Sequence, residues 1–172
     1  PPPPYITSTI QQDASCNLGL SPKQTMINLQ KLYEKGKITY MRTDSFNISN
    51  DIQKKIKKHV EQNYKGFYKK NVFSKKKNTQ EAHECIRPTD LSTSLSESYK
   101  DCDRKLYNLI LKRTITSHMK PAVYDVCKIH LTNDETKDIG YYEGKVKSLS
   151  FEGFLKYSGQ EKEKKIPFDD LE

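Results

Sequence analysis

The stretch SPKQTMINLQKLYEKGKITYMRTDS, residues 21–45, decides how this chain is read. Ser21 caps a helix, Pro22 fits its first turn, and Gln24 reaches back to complete a capping box. Met26, Leu29 and Tyr33 follow at helical spacing, and Gly36 ends the element. Ile38-Thr39-Tyr40-Met41 is β-branched and aromatic, which predicts a short strand leaving that helix. If the strand continues through Arg42, Tyr40 and Arg42 project from one face. Upstream, Ser8 to Leu18 predicts another helix, stopped by Gly19. The two helices and their short turn form a helix-turn-helix-like pair, a common motif that alone says little about DNA.

Working outward, Pro1 to Pro4 read as an extended lead-in, a linker or the start of a strand. The chain lacks an initiator Met and a basic-then-apolar leader, and so looks cut from a longer protein. A third helix is expected from Ser49 or Asn50, with Ile52, Ile56 and Val60 as its buried stripe. Residues 65–78 read as a loop. Asn78 and Glu81 suggest a capping box opening a short helix that Pro88 must end. On that helix Gln80, His83 and Arg87 would share a face. A long amphipathic helix is expected from Ser98 to Met119, with Leu106, Leu109, Ile110 and Ile115 toward the core. After Pro121 the pattern changes: Val123, Cys127, Ile129 and Leu131 mostly alternate, and glycines punctuate strand-like residues from Tyr141 to Tyr157. The expected fold class is therefore mainly α with a β-rich C-terminal segment (α+β). A helical domain spans residues 1–120 and an incomplete β piece spans 121–172, with too few strands to close on itself.

Charge is concentrated. Ten lysines and one acid, Glu61, lie between Lys54 and Lys77, which exceeds the whole chain's net charge of +8. Such a stripe suits a polyanion partner or is simply a solvated lysine face. No apolar run approaches the ~18 residues needed to span a membrane. The cysteines (Cys16, Cys85, Cys102 and Cys127) are scattered, with no C-x-x-C pair, and read as free thiols. The chemistry centres on Tyr40. A phenol with a pKa near ~10 is a poor nucleophile at neutral pH. An arginine beside it favours the phenolate and grips phosphate oxygens with paired donors. The plainer alternative is a half-buried strand tyrosine beside a surface arginine. His83 and Arg87 on one helix face likewise suit an anion, or else pair with Glu84 or Glu81.

Four segments together resemble one family. Pro-Pro-Pro-Pro-Tyr-Ile-Thr-Ser-Thr-Ile-Gln-Gln opens the chain. Ser21-Pro22-Lys23 through Met26 follows, with Gln30-Lys31-Leu32-Tyr33-Glu34. Next comes Ile38-Thr39-Tyr40-Met41-Arg42-Thr43-Asp44-Ser45, and then Gln80-Glu81-Ala82-His83-Glu84 with Ile86-Arg87-Pro88. In this order they resemble the catalytic-tyrosine domain of type IA DNA topoisomerases, over roughly the first 120 residues, and the remainder resembles part of the family's β-rich arch. Met41 and Asp44, where the topoisomerase III branch has Pro and Glu, favour the relaxing bacterial topoisomerase I branch but say little against a reverse gyrase. Cys85 stands where the family usually has alanine.

The resemblance implies a winged-helix-like domain in which Tyr40 forms a 5′-phosphotyrosine link with single-stranded DNA. Arg42 would hold the scissile phosphate, and His83 would assist positioning or proton traffic. Thr43, Asp44, Ser45, Gln80, Glu81 and Arg87 would contact DNA. The expected activity is ATP-independent cleavage and resealing of one strand, relaxing negatively supercoiled DNA. Mg²⁺ would act through a Toprim domain of the same parent chain. No metal site is expected here, since Asp101-Cys102-Asp103 has Lys105 where the family's Asp-x-Asp-x-Glu motif needs Glu. Residence would be the bacterial cytoplasm or nucleoid, or the nucleus or an organelle in a eukaryote. This chain by itself would be inactive. The rival class is a non-catalytic helix-turn-helix DNA-binding module.

Overall fold

The computed structural model describes residues 1–73, 83–92, 94–135 and 138–159. Within them the chain divides into two compact units, Pro1–Lys120 and Pro121–Glu172. The first holds α1 (Thr7–Leu18), α2 (Pro22–Glu34), α3 (Asn50–Asn63) and α4 (Asp101–Thr116). The second holds β1 (Val123–Leu131), β2 (Tyr142–Phe151) and a single helical turn, α5 (Leu155–Ser158). The chain is thus mixed helix and strand.

Local chemistry sets the helix ends. Gly19 takes the left-handed conformation (φ 65°); its N–H closes on the Ser15 carbonyl and the Leu20 N–H on the Ala14 carbonyl, which stops α1. At the start of α2 the Ser21 side chain accepts from the Gln24 N–H while Gln24 Oε1 accepts from the Ser21 N–H. α4 begins at Asp101, three residues later than the periodicity suggests, because a turn returns the Tyr99 N–H to the Ser96 carbonyl. Asp101 and Asp103 then occupy its first turn, where the helix dipole favours acids.

α1, α2 and α4 pack mutually around one core containing Ile10, Ala14, Leu29, Leu32, Leu106 and Ile110. Removing each of these leucine and isoleucine side chains from water contributes roughly 1.5–3 kcal/mol. α3 buries Ile52, Ile56 and Val60 as its stripe requires and leaves Lys54, Lys55, Lys57 and Lys58 in solvent. The proline lead-in is tied down at Tyr5. Its hydroxyl donates to Asp13, which also pairs with Arg113 of α4, and the Arg113 guanidinium lies over the Tyr5 ring.

Two expectations are corrected. No strand forms over residues 38–42: Ile38 makes one isolated bridge, to Pro88. Proline has no N–H to extend a ladder, and beyond Thr39 the run turns to Thr7, whose Oγ1 accepts the Thr43 N–H. The expected helix ending at Pro88 is absent over residues 83–88, which run extended, with Ile86 bridging Tyr5. Arg87 precedes proline, which disfavours the α region, and the Asn47 carbonyl, the Tyr5 carbonyl and Thr39 Oγ1 take up the N–H groups of residues 85, 86 and 87 in place of a helical turn. Asn78, Gln80 and Glu81 lie outside the described residues.

The second unit is an antiparallel ribbon pairing Tyr124 with Leu149 and Leu131 with Tyr142, with a bulge between Val123 and Tyr124. Gly153 has positive φ and lies so close to Pro121 that a Cβ would fall 2.3 Å from its carbonyl oxygen, so only glycine fits. The turn α5 follows it, where the sequence reads only as strand.

His118, at the end of the first unit, is buried. Burial pushes its imidazole below the ordinary value of 6.5, partly offset by a hydrogen bond from Nδ1 to the Thr114 carbonyl at 3.1 Å. Protons therefore bind the unfolded chain more readily, so this contribution to stability is complete above about pH 6.5 and declines as pH falls below it. Denaturant melts at about pH 7.5 and about pH 5.5 should differ more for the wild type than for His118→Gln.

Candidate active site

The site is built by three extended segments sewn together without a regular sheet. The Thr89 N–H donates to the Lys37 carbonyl, the Thr39 N–H to the Arg87 carbonyl, and the Ile86 N–H to the Tyr5 carbonyl. The clip is Thr39. Its hydroxyl donates to the Cys85 carbonyl at 2.6 Å and accepts from the Arg87 N–H at 3.0 Å. Residues 85–89 are thereby held alongside 36–39, and His83 arrives beside Tyr40, with ring centroids 5.9 Å apart. On its other side Tyr40 meets Tyr33 of α2 edge-on at 5.4 Å. Thr39→Val removes both hydroxyl bonds and orphans the Arg87 N–H, at a cost of roughly 1–3 kcal/mol. A drop in Tm of at least about 2 °C by calorimetry is expected.

From Tyr40 to Ser45 exposure alternates residue by residue. Tyr40 (39% exposed), Arg42 and Asp44 face solvent, while Met41, Thr43 and Ser45 are buried. The period of two survives the loss of the ladder because Met41 anchors in the core and Thr7 binds the backbone on either side of Arg42. Thr7 Oγ1 donates to the Met41 carbonyl at 2.8 Å, and the Thr7 N–H donates to the Thr43 carbonyl at 2.9 Å. Tyr40 and Arg42 therefore emerge on the open side of the same run. The Tyr40 hydroxyl makes no hydrogen bond to a described residue. Arg42 likewise pairs with no described carboxylate.

The other candidate residues divide sharply. Thr43 and Ser45 point inward and serve the backbone: Thr43 Oγ1 accepts the Ser45 N–H, and Ser45 Oγ accepts the Asn47 N–H. Asp44 is exposed, and its carboxylate would repel a phosphate. Arg87 is buried and its guanidinium is committed within the protein, forking onto Glu84 and donating to the Pro88 carbonyl. Glu84 also accepts the Ser49 N–H at 2.8 Å, so this ion pair staples the start of α3 to the site. His83 is half-buried beside Tyr40, apart from the Arg87 pair. Gln80 and Glu81 lie outside the described residues. Cys85 is fully buried, and burial pushes its thiol up to about 12, which makes it a packing residue rather than a nucleophile.

Sequence reasoning missed Thr39 and Tyr33. Thr39 looks like any β-branched strand residue, and its role requires knowing that residues 85–87 lie across from it. Tyr33 reads as a helix-face aromatic, and only the turn through Gly36 swings Tyr40 against it. No three described His, Cys, Asp or Glu side chains gather in a way that could hold a metal ion. Asp101 instead pairs with Lys105 at 2.7 Å.

Comparison with known proteins gives the family. The family described as DNA topoisomerase matches residues 1–171. The chain is 43% identical over 165 residues to a protein named DNA topoisomerase 1 type prokaryotic from Acanthamoeba polyphaga mimivirus, covering 91% of this chain and 19% of that one. It is 39% identical over 183 residues to DNA topoisomerase 1 of Campylobacter jejuni, covering 97% of this chain and 26% of the relative. The solved structure of full-length topoisomerase I from Thermotoga maritima superposes with a TM-score of 0.80 at 33% identity, over 98% of this chain and 29% of that chain. This chain thus spans about a fifth to a quarter of the curated relatives' length. With the family's match running nearly end to end, the chain belongs to the type IA DNA topoisomerases, alongside bacterial topoisomerase I.

Proposed function

We propose that this chain carries the strand-cutting tyrosine of a topoisomerase that relaxes negatively supercoiled DNA, with Tyr40 as nucleophile. The observation that carries the reading is the exposed Tyr40 ring set beside His83 by the Thr39 clip, with Arg42 on the same open run. Tyr40 Oη attacks the phosphorus of a single-stranded segment. The new bond is a 5′-phosphotyrosine, the P–O3′ bond breaks, and the 3′ oxygen leaves as a hydroxyl once protonated. Attack by that hydroxyl reverses each change, so the energy of the phosphodiester is retained and no nucleotide is consumed.

Arg42 holds the phosphate and balances its growing charge. His83, in ring contact with Tyr40, orients the phenol and relays its proton. The remaining wall, with the leaving-group partner and Mg²⁺, is assigned to a Toprim domain of the parent chain. Mg²⁺ would supply charge neutralisation at the phosphate when bound there. Unit 1 is read as a winged-helix-like domain, supported by the mutual packing of α1, α2 and α4, and the ribbon as part of the arch. Among the described residues no helix is long and apolar enough to cross a membrane.

The test is to quench the parent enzyme with denaturant during reaction on a labelled single strand, then map the DNA-linked peptide by mass spectrometry. A 5′-phosphoryl adduct on residue 40 is expected; the absence of any adduct would favour the non-catalytic binding module. In the same assay Arg42→Lys should slow cleavage by about 10²-fold, because lysine keeps the charge but loses the paired donors.

A further inference from the structure

The outward face of α2 has chemistry that the cleavage site does not use. Lys23, Met26, Ile27, Gln30 and Lys31 fall at i, i+3, i+4, i+7 and i+8, one stripe opposite the buried Thr25, Asn28, Leu29 and Leu32. This stripe and Arg42 line an open groove of about 500 Å³. Its composition is lopsided. Three cations stand on it, and none pairs with a described carboxylate. The nearest acid on the helix, Glu34, is engaged by Gln30 at 2.7 Å. Its floor is apolar, with Ile27 46% exposed on a helix whose opposite face is fully packed. Ile27 lies one turn from each of the two lysines, Lys23 and Lys31.

We propose that this groove binds the single DNA strand flanking the scissile phosphate, with Lys23 and Lys31 on successive phosphates and Met26 and Ile27 against a base. The proposal rests on reading Tyr40 and Arg42 as the cleavage site, and extends it to a track along α2. Three features select this occupant. The three positive groups match a phosphate backbone in charge. The groove is continuous with Arg42, so a strand held there leads to the phosphate at Tyr40. An apolar floor rewards an unpaired base, whose face is free only in a single strand. A duplex presents phosphates and closed base edges, and would leave Ile27 uncovered.

The experiment uses the 172-residue chain and a short fluorescent oligothymidylate. Anisotropy titrations over a range of salt compare the wild type with the Lys23→Gln/Lys31→Gln variant. Both lysines are exposed and glutamine is a good helix former, so circular dichroism should be unchanged. Losing two phosphate contacts should weaken binding and make the log–log salt slope shallower by about 1.4. In parallel, the oligothymidylate should protect Lys23 and Lys31 of the wild type from an amine-acylating reagent, read by mass spectrometry, more strongly than a duplex of equal length. No binding, an unchanged slope, unprotected lysines, or equal protection by the duplex would overturn the proposal. Those failures differ from failure of the cleavage reading, which would appear as a missing adduct on Tyr40 in the parent enzyme.

Discussion

Tyr40→Phe in the parent enzyme is expected to fold as the wild type does and to form no covalent DNA adduct. The substitution removes one oxygen from a ring that is 39% exposed and whose hydroxyl bonds no described residue, so stability should change by less than about 0.5 kcal/mol. The ring contacts with Tyr33 and His83 survive, since both involve the carbon framework. The chemistry does not survive, because phenylalanine has no atom to bond to phosphorus. Neighbouring hydroxyls offer no substitute: Thr39 is spent in the backbone clip, and the Thr43 and Ser45 side chains are buried and accept backbone N–H groups. Thermal melts should coincide, while denaturing gels of the quenched reaction show no retarded DNA. A Tyr40→Phe enzyme that still relaxes supercoiled plasmid would place the nucleophile elsewhere.

The 172-residue chain, given Mg²⁺ and supercoiled plasmid, is expected to leave the plasmid's linking number unchanged. Attack by Tyr40 requires the phosphate to be held in line and the charge on both the attacking and leaving oxygens to be stabilised. Arg42 and His83 provide one side of that. No described cluster of acids provides the metal side, and the chain covers only 19% and 26% of two curated relatives. Each lost preorganised donor typically costs ~10²–10³ in rate, so the absence of several takes cleavage below detection. Adding the Toprim-containing part in trans should restore some cleavage of labelled single strands. Robust relaxation by the chain alone would mean that the acid–metal half is dispensable.

Much of the helical frame was legible because its signals are local. Ser21 to Gln24 form their cap within four residues, Gly19 stops α1 by its own backbone freedom, and the stripe Ile52, Ile56, Val60 follows from helical period alone. The family, too, was legible, since four motifs in order need no coordinates. What failed was local reading of residues whose partners are distant. The segments 38–42 and 83–88 were expected as strand and helix. Each instead takes its backbone partners from the other and from Tyr5 and Thr7, and Pro88 denies them a ladder. Arg42 and Arg87 divide: Arg42 stands open on the groove, while Arg87 takes the pairing with Glu84 that the sequence offered as its alternative to binding an anion. By itself the sequence determined the cores of α1 to α4, the cap of α2 and the stop of α1, the alternation that exposes Tyr40 with Arg42, and the kinship. Tertiary structure alone decided that His83 sits against Tyr40 and that Thr39 holds it there, because both depend on contacts between residues more than forty apart in the chain, which no short-range propensity encodes.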